Sequence, residues 1–265
     1  MDTNKQYKSL RLGFAALVYA LILFFVLLSS MSGGIISSTS DSWGFWYYFT
    51  NQSNIIVLVW LILFGIGTIK GGKAQKLAEN NTVITAVTVY ISITFFIVAT
   101  VLEPFYSGKF EPLNSLFLHF ASAIVMWFFF FFVKGHGSQK YRQAFYMLIY
   151  PFVYLIVCQI VGHTTNFIDG KPAFPYAFIN PSTYGNVGVF IVVILLLIGI
   201  FGGFGVLLIK FRRFLTRYHQ TLQDPNMLQN QNAVPNPTYA PSNNTRQSHR
   251  HQPPKTRIKF TKHNG

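Results

Sequence analysis

Thr50, Asn51, Gln52, Ser53 and Asn54 form a polar run at the head of an otherwise apolar stretch, and His119 stands inside a second such stretch. A hydroxyl and an imidazole are the makings of nucleophilic acyl transfer. Threonine is a weak nucleophile until a base removes its proton. Imidazole, with a pKa near 6.5, suits that task and can return the proton to the leaving group. The oxyanion that develops needs hydrogen-bond donors, and the amide of Asn51 or Asn54 is the nearest supplier. In a helix Thr50, Ser53 and Asn54 fall at i, i+3 and i+4 and share one face. The plainer readings are that Thr50 bonds a neighbouring helix, worth about 1 kcal/mol in a membrane, and that His119 is a satisfied interhelical histidine. No G-x-S-x-G elbow is present.

Further polar and aromatic residues cluster around these two. Tyr150, Pro151 and Tyr154 lie in one apolar block, which ends at Gly162, His163, Thr164 and Thr165. Pro151 is expected to kink that helix and free a carbonyl. The run from Phe174 through Pro175, Tyr176, Ala177, Phe178, Ile179 and Asn180 to Pro181 reads as an ordered loop folded back over a bundle mouth. Tyr150, Tyr154, His163, Tyr176 and Asn180 are therefore candidate pocket residues beside Asn51, Ser53 and Asn54. His119, His163 and Glu103 lack any diagnostic ligand spacing, so no metal is expected, and no cofactor. Cys158, the one cysteine, reads as a small buried apolar side chain.

The elements that must hold these residues follow from hydropathy. Of 265 residues 51% are hydrophobic and 11% charged, against about 25% charged in a soluble domain. The apolar residues come in blocks of about 18 to 24, enough to cross roughly 30 Å of hydrocarbon as a helix. Nothing alternates as a membrane β-barrel would. The expected fold is an all-α, polytopic six-helix bundle with spans near 12–31, 47–69, 82–102, 114–133, 145–163 and 187–209. The first has a basic start resembling a signal peptide, but its apolar stretch exceeds the usual signal core, so it is expected to stay as a helix. Lys5, Lys8 and Arg11, then Lys70, Lys73 and Lys76, then Lys134, Lys140 and Arg142, then Lys210, Arg212, Arg213 and Arg217 alternate with loops poor in Lys and Arg. By the positive-inside rule both termini are cytoplasmic. Trp43, Trp46, Tyr47 and Tyr48 read as an interfacial belt, which puts Thr50 just below the outer headgroups and His119 within a turn or two of the same level.

Residues 1–217 thus form the membrane domain. Residues 218–265 are rich in Asn, Gln, Pro, Ser and Thr, cannot bury a core, and are expected to be a disordered basic tail. With a net charge of +14, the tail is expected to touch anionic inner-leaflet lipid; no motif points to a specific nucleic acid. The expected location is the cell membrane, with the mouth of the site on the extracytoplasmic side.

Tyr48-Phe49-Thr50-Asn51-Gln52-Ser53-Asn54, His119, Tyr150-Pro151 with Tyr154, and Pro175 to Pro181 together resemble a bacterial family of six-helix membrane proteins, sometimes described as possible membrane sensors. That family is similar to the androgen-induced and androgen-dependent TFPI-regulating proteins of animals, and the resemblance covers about residues 8–210. The animal proteins are intramembrane threonine hydrolases of branched fatty-acid esters of hydroxy fatty acids. By resemblance Thr50 is the nucleophile and His119 the base, and the substrate is a lipid or fatty-acyl ester drawn from membrane lipids. The chain departs from the animal pattern after the threonine, where an apolar pair followed by Asp or Asn is replaced by Asn51-Gln52-Ser53-Asn54. This leaves Ser53 as a rival nucleophile. The alternative is a non-catalytic sensor, small-ligand-binding protein or carrier using the same polar mouth.

Overall fold

A computed structural model describes residues 3–36, 42–102, 113–164 and 174–221. The described chain is helical: α1 Thr3–Ile36, α2 Ser42–Tyr47, α3 Phe49–Lys70, α4 Gly72–Ala78, α5 Asn81–Ile97, α6 Leu113–Leu116, α7 Ser122–Phe132, α8 Gln143–Met147, α9 Ile149–Thr164 and α10 Val187–Thr221. π-helical turns extend α5 over Val98–Leu102 and join α6 to α7 over Phe117–Ala121. Two 3-10 turns, Ala177–Ile179 and Pro181–Tyr184, precede α10.

Each expected span has a helical counterpart. Five stretches are long and apolar enough to cross a membrane: Ser9–Ser32, Phe49–Lys70, Asn81–Val101, Gln143–Thr164 and Val187–Tyr218. The apolar part of the remaining stretch, Phe117–Phe132, is shorter. The surface is inverted relative to a soluble protein. Phe14, Leu21 and Phe25 on α1 and Leu195, Leu196 and Ile200 on α10 are exposed, whereas Ser53, Asn54, Thr85, Thr88 and Ser92 are fully enclosed. Water-soluble monomers do not expose contiguous apolar faces of this extent, so these are the dimensions and the surface of a multi-pass membrane protein.

Pro151 acts earlier than a mid-helix kink. It has no N–H to give the carbonyl four residues back, at Met147, and the helix is interrupted there, between α8 and α9. At its far end α10 runs to Thr221, beyond the expected start of the tail at 218; the rest of the tail lies outside the described residues, as do Glu103 and the loop charges Asp41, Lys109, Glu111, Asp169 and Lys171. Cys158 is buried.

Arg212, grouped by sequence with the flanking basic residues, is instead almost wholly buried, at 2% exposure. Its Nε donates to Asn81 Oδ1 (2.9 Å), one terminal nitrogen donates to the Phe130 carbonyl, and the other donates to that of Val133 (2.8 Å). These carbonyls end α7, the negative pole of that helix, which offsets the buried cation. Asn81 Nδ2 donates to Gly137 O (2.8 Å), and Gln139 Nε2 donates to Asn81 O (3.0 Å) and Thr85 Oγ1 (2.9 Å). A Cβ at Gly135 would collide with Asn81 and Arg212, so only glycine fits there. One guanidinium thus ties α5, α7 and α10 together where all three converge.

Arg212→Met should strand these acceptors and lower stability by on the order of 3 kcal/mol. Arg213→Ala should cost under about 1 kcal/mol, since that side chain only stacks on exposed Tyr141. Thermal unfolding in detergent compares the two variants, and equal shifts would contradict the structural role of Arg212.

Candidate functional site

A helix begins with backbone N–H groups that have no partner within it. Tyr48, ahead of α3, provides no side-chain cap. Two phenols from distant segments take over. The Phe49 N–H donates to Tyr154 OH of α9 (3.3 Å), and the Thr50 N–H donates to Tyr176 OH (3.3 Å) in the segment before the 3-10 turns. Tyr176 OH also shares a hydrogen bond with Thr50 Oγ1 (3.2 Å), in which either oxygen can donate. Tyr154 OH donates onward to Tyr47 O (3.0 Å), and Tyr47 OH donates to Cys158 O (3.3 Å). Burial pushes the Tyr176 phenol up to about 12, an effect only partly offset by its bonds with Thr50. At neutral pH it is therefore a hydrogen-bond donor and not a base.

The rest of the polar run serves the first turns of α3. Asn51 Nδ2 donates to Phe45 O (2.8 Å), and Ser53 Oγ donates to Thr50 O (3.0 Å) while pairing with Thr94 Oγ1 (2.8 Å). Asn54 Nδ2 donates to Thr50 O and to Leu118 O, both at 2.8 Å. The second acceptor is open because of the π turn. The Ser122 N–H bonds to Phe117 O, one residue further back than in an α-helix, which frees the Leu118 carbonyl. Both amide protons of Asn54 are thereby committed, and its Oδ1 is buried with no partner among the described residues. The partner at the Thr50 hydroxyl is thus Tyr176 OH, while the first four N–H groups of α3 go to Tyr154 OH, Tyr176 OH and the Tyr48 carbonyl.

Thr50, Tyr154 and Tyr176 stand at one end of a cavity of about 400 Å3 bounded by α5, α8, α9, α10 and the segment before α10. Apart from Thr94 the walls are apolar, from Phe49 and Ile97 beside the hydroxyls to Leu148 and Phe201 at the far end. The roof is fastened from several sides. Gln159 Nε2 donates to Ile179 O (2.7 Å), Tyr184 OH donates to Phe178 O (2.9 Å), and Phe174 packs so closely on Gly162 that a Cβ there would strike its ring.

The structure brings Thr50, Tyr154 and Tyr176 together, with Asn51, Ser53 and Asn54 supporting them from the same helix. Tyr150 lies beside this group, donating to Gln52 Oε1 (2.6 Å) and packing on Phe49. His119, half-buried in the π turn, follows the residue whose carbonyl holds Asn54, but it does not line the cavity. The hydroxyl of Thr50 is bonded to Tyr176 and not to His119. His163 is exposed, with its ring edge-on to Phe174, and Asn180 caps the second 3-10 turn through the Ser182 N–H (3.0 Å). No group of three or more metal-ligating side chains occurs among the described residues. From Tyr154, level with the start of α3, α9 runs on to Thr164, roughly 15 Å by helical rise. Thr50 therefore sits well below the end of that helix, under a roof. Sequence reasoning passed over Thr94 and Gln159. Thr94 is one of several hydroxyls along α5, and only the pairing of α3 with α5 marks it. No family model, curated protein or solved structure matches the chain.

Tyr176→Phe keeps the cavity walls but strips the cap from Thr50. Hydrogen exchange at the start of α3 should accelerate, with a stability loss of about 1 kcal/mol. Tyr150→Phe should leave that exchange unchanged. Undiminished protection in Tyr176→Phe would refute the capping role.

Proposed function

We propose that this chain is a six-span membrane protein that takes a lipid or fatty-acyl ester into its cavity and hydrolyses it, with Thr50 as nucleophile and His119 as base. One observation carries the reading: a hydroxyl and a phenol are paired at the polar end of an otherwise apolar cavity of about 400 Å3. That volume falls within the range of small-molecule sites. The apolar walls suit an acyl chain, and the polar end suits an ester. The resemblance of the Thr50 run, His119 and the Tyr176 segment to the bacterial six-helix family, itself similar to the animal threonine hydrolases, supports the same roles.

In this reading the Thr50 oxygen attacks the ester carbonyl carbon as its proton passes to His119. Tyr176 OH, beside the Thr50 hydroxyl, stabilises the oxyanion. The carbon–oxygen bond to the alcohol breaks, and His119 protonates the departing alkoxide. Water, deprotonated by His119, then attacks the acyl-threonine, releasing the acid and restoring Thr50. Asn54, bonded to both Thr50 O and Leu118 O, couples the turn carrying the hydroxyl to the turn carrying the imidazole.

A second reading has its own observation. The partner of the Thr50 hydroxyl is a phenol that stays protonated at neutral pH, which fits a pocket that binds an acyl ligand without cleaving it, as in a sensor or carrier. A fluorophosphonate probe applied to the purified protein separates the two. Hydrolysis predicts labelling that Thr50→Ala abolishes and His119→Ala sharply reduces, with expression intact. Absent labelling, or labelling that survives both changes, would leave only the binding reading.

The six-span count rests on the apolar blocks and the cytoplasmic termini on the alternation of Lys- and Arg-rich segments, and the basic tail, 218–265, is assigned to anionic inner-leaflet lipid. In a Cys158→Ser background, Ser182→Cys should react with an impermeant thiol reagent on intact cells, and Lys73→Cys only after permeabilisation. The opposite pattern would invert the orientation.

A further inference from the structure

We infer that the acyl chain enters the cavity sideways from the bilayer, through a cleft between α9 and α10, while the roof over Thr50 stays closed. The inference rests on the reading of the cavity as an acyl-chain chamber and specifies how it is loaded.

The roof and the side wall differ in construction. Ile179 in the roof is 3% exposed, and its carbonyl is held by Gln159. Thr183 Oγ1 donates to Ala177 O (2.8 Å) and Tyr184 OH donates to Phe178 O, closing the 3-10 turns on themselves. Tyr176 is bonded to Thr50 from above. Entry of a ligand through the roof would break several of these bonds together. Among the described residues no hydrogen bond of this kind joins α9 to α10. The cavity residues Ile149 and Phe152 of α9, and Phe145 of α8 at the inner end of the cleft, are 57%, 50% and 66% exposed, so they line the cavity and face outward at once. Across from them Ile194, Ile198 and Phe201 of α10 are half-buried. α9 leans on α8 and the first 3-10 turn, α10 leans on α5, α8 and the second turn, and the two make at most glancing contact with each other.

The occupant follows from the chemistry of this opening. All six of these portal residues are apolar, so a charged or strongly hydrated ligand would be desolvated with nothing to replace its water. An unbranched acyl chain already lying among lipid tails loses no solvation by moving between α9 and α10. As it slides in, its polar end arrives at Thr50, Tyr154 and Tyr176, the hydroxyls of the chamber. The chain comes either from a free fatty acid or from an esterified membrane lipid, and both carry the same portal chemistry.

The test uses the full chain reconstituted in phosphatidylcholine vesicles that contain a diazirine-bearing fatty acid or, in a second arm, phosphatidylcholine bearing the same diazirine chain. Photolysis and peptide mapping should place adducts on 145–155 and 194–201 at a yield at least about fivefold above that on the exposed α1 residues Phe14, Leu21 and Phe25, a ratio equivalent to roughly 1 kcal/mol. Either arm giving this pattern supports the portal, and the arm that gives it identifies the source of the chain. Ile198→Trp and, independently, Ile194→Trp should each reduce cleft adducts by about the same factor while α1 adducts persist. Uniform labelling of all lipid-facing helices in the unmodified protein, or cleft labelling indifferent to both tryptophans, would overturn the portal. Fluorophosphonate labelling in the same samples separates the two layers. Cleft adducts without modification of Thr50 keep the portal and remove the hydrolase, whereas modified Thr50 with uniform adducts keeps the hydrolase and removes the portal.

Discussion

The first N–H groups of α3 must find acceptors in surroundings without water, and they find them in two tyrosines. An unpaired backbone donor in an apolar interior costs about as much as a lost hydrogen bond. Because Tyr48 supplies no side-chain cap, Tyr154 from α9 and Tyr176 from the roof segment take the N–H groups of Phe49 and Thr50 at the head of α3. The same two bonds that satisfy the helix also set the distance between α3, α9 and the roof, and they turn the space beneath into a closed-topped chamber. The Thr50 hydroxyl lies in that chamber as a consequence of its place in the first turn. The stabilising contacts at the head of α3 and the Thr50 hydroxyl therefore share atoms.

Arg212 solves the complementary problem at the other end of the bundle, where carbonyls at the end of α7 need donors. Glu79 is the one acidic residue among those described, and it pairs with Gln75, so the guanidinium is compensated by dipoles and by Asn81. Between the two ends α5 carries enclosed hydroxyls at Thr85, Thr88, Ser92 and Thr94. Thr88 bonds back to Ile84 O, Ser92 receives Trp127 Nε1–H, and Thr94 meets Ser53. Polar groups thus hold the bundle together from within, while apolar side chains cover its outside.

The helical blocks were legible because hydrocarbon thickness imposes a length and an unbroken apolar composition that few other structures share. The Thr50 run, Tyr154 and Tyr176 were legible as polar or aromatic groups in costly positions, and they do meet. Their pairing was not, since it depends on tertiary placement: Tyr176 was read as part of a loop over the mouth, not as the partner of Thr50. Arg212 was read as one more flanking charge, because a rule about which side basic residues lie on says nothing about whether one of them turns inward. The π turn around His119 has no sequence signature in this chain, yet it frees the carbonyl that engages Asn54. Pro151 marks a disruption in the sequence, and its effect falls on the residues before it, between α8 and α9.

Thr50 stands at the polar end of an otherwise apolar cavity, which we propose holds an acyl chain. The most direct measurement is an experimental density map of the protein in lipid nanodiscs. That map should show elongated, unbranched density between α9 and α10 that ends within hydrogen-bonding distance of Thr50 and Tyr176. A chamber collapsed or filled by protein side chains, with the Thr50 hydroxyl turned away from Tyr176, would contradict it.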